Sequence, residues 1–552
     1  MNRLREYIFF IFFFLIFYSC GINKSVHHLP LNLPKKSDKV SVIHVSDTLI
    51  IHKQGYLVKN PHKIWELHVK GTPSQLGLLS GALAEKLIKK QERIFFNKLA
   101  EIIPSTFRQK LLRTVLKWYN RKLYLNVKEE YKTEIYGLSQ YSDTTFNYVA
   151  SPYLRSLYLH GAHDIGHAMQ DLALVGCSSL AVWGDKTEDG QLLIGRNLDF
   201  YAGDDFAKDK LITFVNPEQG IPFVSVSWAG MIGVFSGMNK EGLTVTINAA
   251  KSKIPLAAKT PISLLTREIL QYATTIEEAV KIAKEKPVFV SESILVSSAK
   301  DKKAVVIEVS PNNFGIYNVE NANSLVCSNH FQSSAYQNDK RNNKHIRESH
   351  SLYRMQRMQE LIANQDKITP YKMAEILRNK EGLKGISIGY GNEKSINQLL
   401  SHHAVIFKPE SRIMWISTNP YQLGEFIAYD LNKVFDQQNQ KEANLPELTI
   451  PKDSFLESEA YRNYELYRKY DQLINNAING DQLLEFNFIK KYQDLNPNLW
   501  SVYYKIGIYQ YKHRLYKEAL YNFEKALTLE ITTLVDKNKV QKYLRKTKEK
   551  LS

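Results

Sequence analysis

Apolar positions change period along the chain, and the changes divide it into segments. From about Gly55 to Asn120 the recurrence is helical. Ser74-Gln75-Leu76-Gly77-Leu78-Leu79-Ser80-Gly81 leads into Ala82-Leu83-Ala84-Glu85-Lys86-Leu87, with apolar residues three and four apart. Helical patterning resumes from Tyr131 to Gln170. From Cys177 the period becomes two. The runs 179–182 and 191–194 predict short strands joined at Thr187-Glu188-Asp189-Gly190, whose Asp-Gly pair is a hairpin signal. Runs 211–215 and 223–228 flank a turn at Pro217 to Gly220, and 232–236 and 243–247 flank Asn239-Lys240-Glu241-Gly242. The alternation predicts an antiparallel sheet.

Helices come next. One is predicted from Pro261 to about Gln271, and Thr275-Ile276-Glu277-Glu278 has the form of a capping box for another. Strands return at 294–298, 304–309 and 324–327, a helix at about 351–362, and strands at 403–407 and 413–417. Runs of strands separated by runs of helices predict an α+β fold of layered sheets with helices outside. After about Pro451 the chain turns helical. Tyr503, Ile506, Gly507, Ala519, Leu520, Phe523 and Ala526 fit one tetratricopeptide-like helix pair. A single such unit cannot bury its own face, so it is expected to pack on the main domain or on the 455–495 segment.

Composition adds an address. The chain has 552 residues, too many for one ordinary core, and a formal charge of +17. No nucleic-acid module accompanies that charge, and the spread of lysines reads as solvated surface. At the N-terminus, Arg3 and Arg5 precede an apolar run from Tyr7 to Tyr18, then Ser19-Cys20-Gly21. This is the layout of a secretory signal, too short for a spanning helix, and it resembles a bacterial lipoprotein signal with Cys20 as the lipidated residue. An uncleaved anchor or a conventional cleavage nearby is the alternative. The expected location is the bacterial cell envelope, with the protein held to a membrane by lipid and the polar stretch after Cys20 acting as a tether. The three cysteines, Cys20, Cys177 and Cys327, are too few for a disulfide framework. A Cys177–Cys327 bridge would silence either thiol, so the state of Cys177 matters most.

Cys177 opens a strand directly after Gly176. Its thiol could attack the Gly176 carbonyl, and glycine tolerates a strained backbone there. An N-to-S shift and hydrolysis would then leave Cys177 as an N-terminal residue. Its own α-amine, with a pKa of roughly 7.7–8.0, would be the base for its own thiol. The hairpin should return Arg196 and Asp199 beside the start of the first strand, where a guanidinium favours thiolate and a carboxylate can hold the new ammonium.

These blocks, taken in order, resemble the cysteine N-terminal-nucleophile (Ntn) hydrolases of the acyl-coenzyme A:6-aminopenicillanic acid acyltransferase type, with choloylglycine hydrolases as relatives. The resemblance runs from about Leu67 to Thr418. It is carried by Gly71-Thr72-Pro73-Ser74-Gln75-Leu76-Gly77 with Gly81, by Gly176-Cys177-Ser178-Ser179, and by Gly195-Arg196-Asn197-Leu198-Asp199-Phe200. It continues through Gly237-Met238-Asn239-Lys240-Glu241-Gly242-Leu243, Ile247-Asn248, Ser328-Asn329-His330-Phe331 and Ser351-Leu352-Tyr353-Arg354. The resemblance implies a four-layer αββα sandwich, Cys177 as nucleophile and Gly176 as the residue before the self-cleaved bond. It implies Arg196 and Asp199 as flanking residues, Asn248 as an oxyanion-hole donor, Asn329 as a second active-site asparagine and Arg354 as a supporting arginine, with Arg357 competing for that role. No cofactor and no metal are implied.

The expected division is a signal over 1–19, a tether over 20–60, a helical leader over 61–176, a catalytic domain over 177–450 and a tetratricopeptide-like region over 451–552. The expected activity is hydrolysis of a linear amide in a small N-acyl compound through a thioester. Acyl transfer to an amine is the alternative, the two differing in pocket access. Two further readings stay open: a lipid-anchored scaffold with an inactive core whose helical end binds a protein partner, and a papain-like protease using His330. His160, His163 and His167 have a spacing that could place metal ligands on a helix face, but no fourth ligand is apparent.

Overall fold

A computed structural model describes residues 21–34, 40–161, 164, 175–201, 203–251, 257–436, 443–480 and 483–552. The signal segment, Cys20, His163 and His167 lie outside the described residues.

Two large sheets dominate. Strands β1 (Ile43–Ser46), β2 (Leu49–His52), β3 (Gly55–Lys59), β4 (Trp65–Gly71), β5 (Val175–Gly184), β6 (Gly190–Phe200), β7 (Leu211–Pro217), β8 (Phe223–Ser227), β9 (Ser236–Asn239) and β10 (Leu243–Ala249) lead the chain. They are followed by β11 (Glu292–Ser298), β12 (Lys303–Ser310), β13 (Asn313–Tyr317), β14 (Ser324–Cys327), β15 (His403–Lys408), β16 (Ile413–Ser417) and β17 (Phe426–Asp430). Eleven strands pair in the order β1-β2-β3-β4-β7-β8-β9-β10-β11-β12-β13, and six in the order β14-β5-β6-β15-β16-β17. The β4–β7 pair is parallel.

The sheets face each other across one apolar core. Ala181, Ile194 and Val405 of the smaller sheet meet Phe214, Val226 and Leu295 of the larger. Side chains alternate across a strand, so the opposite faces need cover of their own. The helix Ile262–Tyr272 supplies Leu265 and Ile269 against Val245 and Ile294 on the larger sheet. The helices Ser351–Ala363 and Pro370–Leu377 supply Met358 and Met373 against Leu180 and Ile406 on the smaller. Each such side chain, fully buried, contributes roughly 1.5–3 kcal/mol.

Local chemistry sets the element ends. Gly190, at φ 77°, makes the hairpin turn between β5 and β6. Thr72 and Gln75 close a capping box on the helix Pro73–Leu83, and Thr275 and Glu278 close the one expected on Ile276–Glu285.

Three departures from the sequence reading concern the larger sheet. Residues 43–59, read as the far part of a tether and the start of a helical stretch, form β1 to β3 at one edge of the large sheet. The leader is not wholly helical, because β4 lies within it. There Trp65, Leu67 and Val69 are buried while Glu66, His68 and Lys70 are not, a period-two signal only one strand long. The strand expected at 232–236 instead begins at Ser236 and takes in Gly237 to Asn239. Before it, the Val234 N–H bonds the Ser263 carbonyl, so the backbone there serves a helix start and not a ladder.

Among the described residues the C-terminal region has five α-helices, Glu459–Asn479, Phe486–Leu495, Trp500–Lys512, Tyr516–Leu527 and Leu534–Leu551. Gly507 lets two of them approach closely, since a Cβ there would meet the Phe523 ring at 2.7 Å. The region shares one core with the main domain, where Tyr464, Leu499 and Trp500 pack with Leu399 and Leu423. Among the described residues no helix is long and apolar enough to cross a membrane.

Candidate active site

The β5–β6 ladder sets the register of the site. Gly176 stands opposite Asp199, Cys177 opposite Leu198, and Ser179 opposite Arg196. By alternation Cys177, Ser179 and Arg196 face the larger sheet, while Gly176 and Asp199 face the other way. Gly176 does not adopt a left-handed φ. A Cβ at this position would lie 2.8 Å from Gln398 Nε2, the end of a side chain that would have to shift to make room.

The peptide unit around Cys177 is held from several segments. Its N–H donates to Asn329 Oδ1 at 2.9 Å. Its carbonyl accepts from Arg354 Nη1 at 2.6 Å. The same guanidinium donates to Ser178 Oγ at 2.9 Å and, through Nη2, to Asn329 Oδ1. Arg196 Nη2 donates to the sulfur at 3.6 Å and to the Ile247 carbonyl at 2.6 Å, and Nη1 donates to Ser236 Oγ. Cys177 is 1% exposed, and Arg196, Asp199 and Arg354 are fully buried.

The charges follow from that burial. Desolvation pushes the Cys177 thiol up to about 11; Arg196 pulls it down by less, and the Asp199 backbone N–H, which also reaches the sulfur, acts in the same direction. Burial likewise raises the Asp199 carboxyl to about 6, against the lowering effects of the Ser401 hydroxyl and of Arg354 and Arg196. Ser401 Oγ donates to Asp199 Oδ1.

Asn248 lies one step away, on β10. Its Oδ1 accepts from Ser179 Oγ at 2.7 Å and its Nδ2 donates to the Cys327 carbonyl at 3.0 Å. A carbonyl can only accept, which fixes the amide's orientation. One amide hydrogen is thus engaged away from the sulfur, and the hydrogen bonds of Asn248 run to Ser179 and Cys327, not to Cys177. Between the two arginines, Arg354 is the one at the site. Arg357 pairs instead with Glu360 and Glu381.

Cys177 and Cys327 are both free thiols, with no bridge between them. His330 bonds Ser351 Oγ at 2.7 Å and is pushed down to about 4, first by burial. Among the described residues no histidine hydrogen-bonds the Cys177 sulfur. His160 is structural. Its Nδ1 meets the Ser156 carbonyl at 2.7 Å and its Nε2 accepts the Ile232 N–H at 3.0 Å.

Several contributors carry no sequence motif. Ser236 Oγ and His403 Nε2 lie 2.9 Å apart behind Arg196, and Ser401 and Gln398 sit at the far side of Gly176. The only sequence signal was the Ser401-His402-His403 cluster of polar residues leading straight into a buried strand.

Comparison with known proteins follows the same residues. Residues 186–420 match the family model "Acyl-coenzyme A:6-aminopenicillanic acid acyl-transferase". That span contains Arg196, Asp199, Asn248, Asn329 and Arg354 and begins downstream of Cys177. An uncharacterized protein of Archaeoglobus fulgidus is 25% identical over 284 residues, covering 48% of this chain and 46% of that protein, so the match spans about half of the relative's length. Among solved structures, a Caenorhabditis elegans N-acylethanolamine-hydrolyzing acid amidase ortholog aligns at 21% identity, with TM-score 0.31, over 42% of this chain and 93% of that one. A mutant conjugated bile acid hydrolase from Clostridium perfringens aligns at 16% identity, with TM-score 0.33, over 47% of this chain and 93% of that one. The resemblance read from the ordered blocks thus has a counterpart in the family match, in which residues 186–420 are similar to the acyl-coenzyme A:6-aminopenicillanic acid acyl-transferases.

Proposed function

We propose that the chain is a self-processing cysteine amidase that hydrolyses linear C–N amide bonds of small N-acyl compounds. The observation that carries the reading is the convergence on one peptide unit. Asn329 takes the Cys177 N–H, Arg354 takes its carbonyl, Arg196 touches its sulfur, and Asp199 stands across from Gly176.

In the uncut chain the nitrogen of Cys177 is an amide and cannot act as a base. Once the 176–177 bond is hydrolysed it becomes an amine. Asn329 Oδ1 is placed to accept one of its hydrogens and so aim its lone pair, and the neighbouring arginines lower its proton affinity. The amine takes the thiol proton as sulfur attacks the substrate carbonyl, then returns it to the leaving amine. The second Asn248 amide hydrogen is a candidate donor to the developing oxyanion, a role worth roughly 2.7–4 kcal/mol. Water then releases the acid. A cleft whose wall is mainly apolar, with Phe95, Leu138, Phe200, Phe206, Trp228 and Met231 beside the polar Gln91, Glu92, Ser142 and Ser156, is the candidate acyl site, since Phe200 lies on the same face of β6 as the Leu198 opposite Cys177.

An amine in place of water would make the same machinery an acyltransferase. Export, a lipid on Cys20, the four-layer αββα description and the tetratricopeptide-like character of the helix pair at 500–527 belong to this proposal too, the last supported by the close Gly507–Phe523 approach.

The test is a denaturing gel with N-terminal sequencing. Wild type is expected as two pieces, the larger beginning at Cys177, and Cys177→Ala as one. If both remain whole, the protein is not a self-processing amidase, and the scaffold reading takes its place. On processed material, products from N-acyl amino acids with and without a second amine separate hydrolysis from transfer.

A further inference from the structure

Behind the 176–177 bond, on the side away from the sulfur, lies the side chain of Gln398. It is 2% exposed, and its Nε2 has no hydrogen-bond partner among the described residues. A buried amide donor left unpaired costs about 1–3 kcal/mol, so its retention calls for a reason. The nearest feature is Gly176: the Nε2 sits 2.8 Å from where a Cβ would project.

The loop carrying Gln398 is held from both ends. The Asn397 N–H bonds the Asn379 carbonyl at 2.8 Å, and the Leu399 N–H bonds Asn397 Oδ1 at 2.9 Å. Leu399 is buried in the core shared with the C-terminal helices. Two residues further on, Ser401 bonds Asp199, which stands opposite Gly176. The C-terminal helices thus brace a loop that delivers two polar groups to the bond expected to break.

We infer that Gln398 Nε2 donates to the oxyanion formed on Gly176 while the chain cuts itself. The inference rests on the self-cleavage reading above. Sulfur approaches the Gly176 carbonyl carbon from the face that Cys177 shares with Arg196. As that carbon becomes tetrahedral, its oxygen bends away from the attacking atom, toward the face on which Gln398 lies. In the full step the C–S bond forms and the C–N bond breaks, and the thiol proton ends on the Cys177 nitrogen. Water then divides the thioester into the Gly176 carboxylate and the restored thiol. Gln398 exchanges no atoms in this sequence; it stabilises charge where charge appears, at no cost of reorganisation.

The experiment follows the disappearance of freshly purified full-length precursor over time on a denaturing gel, for wild type, Gln398→Leu and Gln398→Glu, with thermal melting of each. Gln398→Leu is expected to melt no lower than wild type and to cleave about 10²–10³-fold more slowly. Gln398→Glu is expected to be slow while its carboxylate is ionised and, at each pH compared with wild type, to regain rate as falling pH turns the carboxyl into a donor. If wild type itself stays whole, the self-cleavage reading fails. If wild type cleaves and folded Gln398→Leu cleaves at the same rate, the Gln398 assignment is overturned while self-cleavage stands. Should Gln398→Leu fail to fold, Gln398→Glu decides, and a ratio of its rate to that of wild type that does not change with pH overturns the assignment.

Discussion

Asp199 stands directly opposite Gly176 in the β5–β6 ladder, with its carboxyl fully buried and raised to about 6. The carboxylate that would receive the new ammonium is therefore held at a cost. Its folded-state value exceeds the ordinary 3.8, so the stability linked to this group is fully present below about pH 4 and is lost as pH rises through 6. Asp199→Asn removes that loss. The variant should be more stable than wild type by ~3 kcal/mol at pH 8 and gain nothing at pH 3.5, while its turnover collapses. Chemical denaturation at the two pH values checks the sign, and equal gains at both would refute it.

Gly176→Ala should obstruct the site by volume. The new methyl meets Gln398 Nε2 at 2.8 Å, and overpacking of this kind costs about 1–3 kcal/mol. Adding Gln398→Ala should return most of that stability, because the two changes compete for one space. A double-mutant cycle measures the coupling, and additive losses would place the strain elsewhere.

The two arginines of one helix should behave differently. Arg354→Lys gives up the fork that joins the Cys177 carbonyl, Ser178 Oγ and Asn329 Oδ1 in a fully buried setting, and should cost about 2 kcal/mol or more and slow both processing and turnover. Arg357→Lys keeps a cation near Glu360 and Glu381 and should leave turnover within about twofold. Similar kinetics for the two variants would remove Arg354 from the site.

Processing and turnover should differ in pH dependence. In the precursor the thiol stands at about 11, so the rate of self-cleavage should climb roughly tenfold per pH unit from 7 towards 10. Arg196→Met withdraws the opposing charge and should move that climb to higher pH. Once the amine is free, turnover should instead level off at a pH below the ordinary α-amine value of roughly 8, because the neighbouring arginines lower its proton affinity. A single shared profile would mean that one base serves both reactions.

Cys327 should be dispensable for chemistry. It is buried and unbridged, and its thiol is pushed up by burial and by Glu308. Cys327→Ala should retain turnover, and Cys177→Ala should abolish alkylation of the native core. Persistent labelling of Cys177→Ala at Cys327 would contradict this.

Much of the site was legible in one dimension. Local signals are written where they act: the Asp189-Gly190 turn, the Thr275 to Glu278 capping box, the period-two runs, and a glycine set before a cysteine. Because a hairpin's register follows from its turn, Arg196 and Asp199 could be sent back towards Cys177 from sequence alone. The resemblance then supplied Asn248, Asn329 and Arg354, which no spacing rule would join.

The fold decided the rest. Gln398, Ser401, Ser236 and His403 reach the site only because distant segments pack together. No local periodicity records which buried polar group faces another. The fold also decided that β1 to β4 belong to the large sheet, since a short strand finds its energy in the neighbour it pairs with, β7 in the case of β4. Sequence alone determined the residue types that the proposed self-cleavage would use and most of the elements that carry them. Tertiary structure alone determined what a side chain at Gly176 would meet, because that atom comes from a loop more than two hundred residues further along.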